Sequence, residues 1–130
     1  MIVLDTHIWL WWAHGDPRLP RQYAAFLQAH EAQGLGISAI SCWEVALLVA
    51  RSKIILPDPL EDWFQQALSD PNVRLLTLSP SVAIEATRLP GTFHRDPADQ
   101  IIVATARTHG CPLVTLDRKI LAYPHVQTAP

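Results

Sequence analysis

The residues most able to do chemistry in this chain are acids, and their spacing is informative. Asp5 follows the apolar run Met1-Ile-Val-Leu, Glu44 follows Gly36-Ile37-Ser38, and Asp117 follows Pro112-Leu-Val-Thr115. Asp96 and Asp99 open a small apolar stretch, Ile101 to Ala106. Helix caps alone would be a mixture of Ser, Thr, Asn and Asp, because all of these cap comparably. Here an acid stands at each of four turns, with Thr6, Ser38, Ser41 and Thr115 close by. Carboxylates that converge repel one another and raise each other's pKa unless a cation sits among them. An oxygen-only donor set suits Mg²⁺ or Mn²⁺, and no ligand-spaced His/Cys set supports zinc. The plainer alternative is that each acid merely caps a helix and complements its dipole.

Convergence requires elements that bring these positions to one edge. Met1 to Leu4 is a short apolar run of the kind expected for a strand buried on both faces. Gly36 to Ser38, Val73 to Leu78 and Pro112 to Thr115 read as further strands, and His125 to Thr128 as a last edge strand. Between them the pattern predicts helices over Thr6 to Ala13, Arg21 to Gln33, Leu60 to Leu68 and Ser81 to about Leu89. The helix after Gly36-Ile37-Ser38 is expected to begin at Ser41, because Ser41-Cys42-Trp43-Glu44 has the form of a capping box. Asp96 caps the helix that runs to Gly110, with Pro97 at its first position. Strands alternating with helices argue for a parallel sheet covered on both faces. In such sheets the carboxyl ends of the strands gather at one edge, where ligands bind.

The 130 residues fit one domain with a sizeable core. A net charge of −2 excludes a global basic field, so any nucleic-acid role needs local cations or bound metal. Cys42 and Cys111 lie far apart and read as reduced, structural residues of a cytoplasmic protein. No basic leader precedes the first strand, and the apolar run Ile8 to Ala13 is too short to cross a bilayer.

Four stretches together carry a resemblance: Met1-Ile-Val-Leu-Asp5-Thr6, Ser38-x-x-Ser41-x-x-Glu44, His94-Arg-Asp96-Pro-Ala-Asp99-x-Ile-Ile-x-Ala-Thr-Ala, and Leu113-Val-Thr115-x-Asp117. In this order they resemble the PIN domain over the entire chain, and within it the VapC-type toxins of type II toxin–antitoxin modules. The resemblance implies a three-layer α/β/α fold with a five-stranded parallel sheet, residues 1–130 forming a single ribonuclease domain. It also implies a divalent-metal-dependent ribonuclease, with Mg²⁺ or Mn²⁺ as cofactor, held silent by a small cognate antitoxin.

The family acids fall on Asp5, Glu44, Asp99 and Asp117, while Asp96 matches an extra acid that caps its helix and can join the metal shell. Thr6 and Thr115 match supporting hydroxyls. Glu44 is expected to serve as ligand or as base for the attacking water. Arg95, Arg118 and Lys119 flank the acids and could hold RNA phosphates, although each also reads as a solvated surface charge. His7 and His94 lack a partnered base–nucleophile pair and read as hydrogen-bonding or surface residues. Core packing accounts for part of the aromatic density of Trp9, Trp11, Trp12 and Trp43. But the three from Trp9 to Trp12 point around their helix and one face cannot bury them all, which points to a homodimer or antitoxin interface.

Two other functions remain open from the residues alone. A phosphoacceptor or phosphatase domain could use Asp5, but position 7 is His where a D-x-D site needs a second acid. A catalytically silent interaction module would keep the fold and lose the chemistry.

Overall fold

A computed structural model describes residues Met1–Pro130. Its order is β1 (Ile2–Leu4), α1 (Thr6–His14), α2 (Arg21–His30), a 3-10 turn at Glu31–Gln33, β2 (Leu35–Ser38), α3 (Ala39–Ala50), α4 (Leu60–Ser69), β3 (Val73–Leu76), α5 (Pro80–Thr87), α6 (Pro97–Thr108), β4 (Leu113–Val114) and α7 (Arg118–Leu121). All strand pairings are parallel, and the strands lie side by side in the order β3-β2-β1-β4.

Alternation along the strands splits the interior in two, because successive side chains point to opposite sheet faces. Ile2, Leu4, Leu35, Ile37 and Val114 join Ile8, Trp9, Leu27, Val45 and Trp63 on one face. Val3, Leu76 and Leu113 join Ile102, Val103, Ala106 and Ile120 on the other. The expected three-layer α/β/α arrangement is therefore present.

Gly36 lies in β2 beneath side chains of its neighbours. A Cβ there would lie 2.8 Å from a Leu76 methyl and 3.3 Å from the Met1 sulfur, so side chains of the neighbouring strands pack over this glycine.

Two expectations are corrected. The sheet has four strands rather than five. His125 to Thr128 makes one bridge, Thr128 with Leu113, where Leu113 N–H donates to the Gln127 carbonyl at 2.8 Å. Ala129 N–H returns to the Leu113 carbonyl at 3.1 Å, but β4 spans only Leu113–Val114 and Pro130 has no N–H to continue the ladder. The helix after β2 begins at Ala39, not Ser41, and its cap is Ser38, whose hydroxyl accepts from Ile40 N–H at 3.3 Å. Ser41 is buried inside α3 and Glu44 lies in its second turn, so the capping-box form of Ser41-x-x-Glu44 serves another purpose.

Candidate active site

The chain passes from β1 to β2 to β3 on one side of the sheet and reaches β4 on the other side of β1. That reversal leaves a crevice at the carboxyl ends of β1 and β4, the place where open α/β sheets bind ligands. Asp5 stands there as the cap of α1, accepting from Thr6 N–H at 2.8 Å. Its other oxygen accepts from the Thr115 hydroxyl at 2.7 Å, so β4 holds the acid at the end of β1. The same Thr115 oxygen accepts from Asp117 N–H at 3.0 Å, and the Asp117 carboxylate caps α7 through Lys119 and Ile120. Thr115 thus fixes two acids at once.

On the opposite side of Asp5, Thr6 reaches across to α3. Its hydroxyl lies 2.5 Å from Glu44 Oε1 and 2.9 Å from Ser41 Oγ, and the two serine and threonine oxygens are buried. A buried hydroxyl needs a partner. The Ser41-x-x-Glu44 spacing therefore supplies one turn of helix that presents a hydroxyl and a carboxylate to the same threonine.

The third contribution comes from α6. Asp96 caps it by accepting from Asp99 N–H at 3.1 Å, with Pro97 at the first position as expected. Asp96 itself is exposed, whereas Asp99 is half-buried and turned inward. Asp99, Asp117 and His94 place one donor atom each within 4.8 Å of one another. His94 Nε2 is 3.1 Å from Asp99 Oδ2. This histidine was read as a surface or hydrogen-bonding residue. Nothing local to the sequence places it inward: Phe93 packs between His94 and Tyr123, a residue near the end of the chain, and so fixes the loop ahead of α6.

Burial and mutual repulsion govern the protonation of these acids. Asp99 is pushed up to about 7, first by burial and then by the charges of Asp5, Asp96, Asp117 and Glu44. Burial likewise raises Glu44 and Asp5, although the Thr6 and Thr115 hydrogen bonds oppose it. The residues fit a divalent ion on three counts. Several hard oxygen donors converge, they repel without a cation, and a buried imidazole nitrogen beside them makes no hydrogen bond. Arg95, Arg118 and Lys119 are exposed around this cluster and pair with none of its acids.

A family model described as PIN domain matches residues 2–126. The chain belongs to the PIN-domain family. Ribonuclease VapC22 of Mycobacterium tuberculosis is 40% identical over 124 residues, which is 95% of this chain and 92% of that protein. A toxin–antitoxin complex from Klebsiella pneumoniae superposes with a TM-score of 0.66 at 25% identity, over 98% of this chain and 97% of the other. FitAcB from Neisseria gonorrhoeae shares the fold, with a TM-score of 0.73 at 23% identity over 100% of this chain and 97% of that one.

The tryptophans do not form one surface. Trp9 is in the core, stacked near Trp63 and Phe64, and Trp11 and Trp12 are half-buried beside it. Trp43 is 54% exposed on α3. A groove of about 720 Å³ runs between α1 and the end of α3, lined by apolar Leu10, Trp11, Leu47, Leu48 and Ile55 and by the cations Arg18, Arg51 and Lys53. His7 lies at its wall, two residues beyond Asp5. No helix is long and apolar enough to cross a membrane.

Proposed function

We propose that residues 1–130 form a single divalent-metal-dependent ribonuclease domain, the toxin of a type II toxin–antitoxin pair acting in the cytoplasm. The observation that carries this reading is the gathering of acids at the crevice between β1 and β4, where Thr115 joins Asp5 to Asp117, Thr6 joins the same turn to Glu44, and Asp99 places a donor within 4.8 Å of Asp117. The relationship to a VapC ribonuclease and to toxin–antitoxin complexes supports the substrate and the partner.

In this reading Asp5, Asp99 and Asp117 would hold Mg²⁺, with Mn²⁺ able to replace it, and Asp96, whose charge is felt by Asp99, would join them. A divalent ion so held supplies an activated water and neutralises charge on the phosphate under attack. The chain's own residues do the rest. Thr115 and Thr6 lock the rotamer of Asp5, so its oxygens stay aimed into the crevice. Glu44, raised by burial and held by Thr6, accepts the proton of the attacking water. Arg95, Arg118 and Lys119 hold the flanking RNA phosphates. Both Asp5 oxygens already accept hydrogen bonds and His7 is exposed, so nothing favours a phosphoacceptor role for Asp5.

The antitoxin's apolar segment occupies the groove between α1 and α3, and its arginine or lysine reaches past His7 into the acids. Trp43, exposed on α3, is a candidate contact between two copies in a homodimer. The test is to purify the chain alone and together with the product of the adjacent small reading frame. The chain alone should cut RNA with Mg²⁺ or Mn²⁺ and stop on chelation, and the complex should be larger and silent. Cleavage that persists in chelator would overturn the metal reading. Cleavage unchanged by the second protein would overturn the toxin–antitoxin reading and leave the nuclease.

A further inference from the structure

His94 is not an acid, yet it sits among them in a way that a surface histidine has no reason to adopt. Its Nε2 is shut off from solvent and makes no hydrogen bond, although Asp99 Oδ2 is 3.1 Å away, because the approach is off the N–H direction. Buried polar nitrogens are almost always partnered in native proteins, so this one calls for an explanation. The residue is held in place from several sides. Its carbonyl accepts from Gln100 Nε2 at 3.1 Å, and its ring packs on Phe93 with centroids 4.4 Å apart. Its Nδ1 accepts a long hydrogen bond from Asp96 N–H at 3.4 Å.

The spacing itself suggests what the nitrogen is for. Two adjacent ligands at about 2.1 Å from an octahedral ion lie roughly 3 Å apart. Nε2 and Oδ2 stand at that separation, and Asp117 offers a third donor within 4.8 Å. Resting on the metal-dependent reading above, we propose that His94 contributes Nε2 as a ligand to the ion held by Asp99 and Asp117. The centre is then a mixed nitrogen–oxygen site rather than an all-carboxylate one. Imidazole suits transition metals better than Mg²⁺, and affinity for nitrogen donors rises along the divalent series. The site therefore discriminates in favour of Mn²⁺ over Mg²⁺, and His94 sets that preference.

The experiment is pulsed electron paramagnetic resonance on the full chain loaded with Mn²⁺, with and without ¹⁵N-histidine labelling. Wild-type protein should show a histidine nitrogen coupled to Mn²⁺, and His94→Gln and His94→Ala should lose it, whereas His7→Ala should keep it. Calorimetry should show at least a tenfold weaker Mn²⁺ affinity in His94→Gln and less than a threefold change for Mg²⁺. Absence of nitrogen coupling in the wild type, which needs no variant to fold, would overturn the assignment. So would coupling that survives in a folded His94→Gln. Asp99→Asn separates the two levels of the account. If it loses Mn²⁺ while the wild type shows no nitrogen coupling, His94 falls and the acid site stands. If it binds Mn²⁺ as the wild type does, both fall.

Discussion

The Thr115 hydroxyl donates to Asp5 Oδ2 at 2.7 Å, joining residues 110 positions apart in sequence, and the same oxygen accepts from Asp117 N–H. One buried threonine at the end of β4 therefore aligns the acid that ends β1 with the acid that caps α7. Its position beside the central crevice is what converts sheet topology into a site.

Thr115→Val keeps the shape of this side chain and removes its donor. The loss leaves Asp5 Oδ2 and Asp117 N–H without their partner, at a cost of about 1–3 kcal/mol for such a buried group. It also removes an influence that lowers the Asp5 pKa, so the acid is ionised less readily. Thermal melting of Thr115→Val should show the destabilisation, and Thr115→Ser should restore most of it along with RNA cleavage. Equal stability of Thr115→Val and wild type would contradict this role.

Asp96 is exposed and its carboxylate caps α6. Asn caps about as well as Asp, whereas Ala loses about 1 kcal/mol. Asp96→Asn should therefore melt close to wild type and cleave RNA at a modestly reduced rate, while Asp96→Ala should melt earlier. Complete loss of cleavage in Asp96→Asn, with its stability intact, would promote this residue from cap to indispensable ligand.

The protonation of Asp99 predicts how the metal-free protein responds to pH. Its folded pKa of about 7 lies above the ordinary 3.8, so the folded chain binds this proton more tightly than the unfolded chain. The associated stability is fully present below about 3.8, declines as pH rises, and is lost by the time pH passes about 7. Glu44 and Asp5, raised as well, act in the same direction. Divalent metal reverses the trend, because it binds the ionised cluster and stabilises only the folded state. Melting scans in chelator should fall between pH 4 and 7, and millimolar Mg²⁺ or Mn²⁺ should raise the midpoint most at the upper end. A midpoint indifferent to both metals at pH 7.5 would count against a pre-built site.

Much of this was legible in the residues because the informative signals are local. Asp96-Pro97 marks a helix start by side-chain chemistry alone, and β1 and β4 are legible as apolar runs closed by an acid or a threonine. The acids that follow β1 and β4 were legible as neighbours, because parallel strands deliver their ends to one edge whatever the details of packing. What failed depended on long-range partners. Ser41-x-x-Glu44 imitates a capping box, but Thr6, 35 and 38 positions away in sequence, takes both side chains. Trp9 looked like surplus aromatic surface until Trp63 and Phe64 of α4 supplied its packing. His94 carries no local mark of burial, since the Phe93–Tyr123 contact that holds its loop spans the end of the chain.

The central claim is that Asp5, Glu44, Asp99 and Asp117 together perform metal-dependent phosphodiester hydrolysis. It is tested most directly by measuring RNA cleavage in Mn²⁺ by the four single variants Asp5→Asn, Glu44→Gln, Asp99→Asn and Asp117→Asn. Each amide keeps the shape of the acid it replaces, and relief of repulsion should leave the metal-free fold at least as stable for Asp99→Asn. The account predicts a rate on the order of a hundredfold or more below wild type in every one of them, with the fold retained. Wild-type cleavage in any two of the folded variants would contradict it.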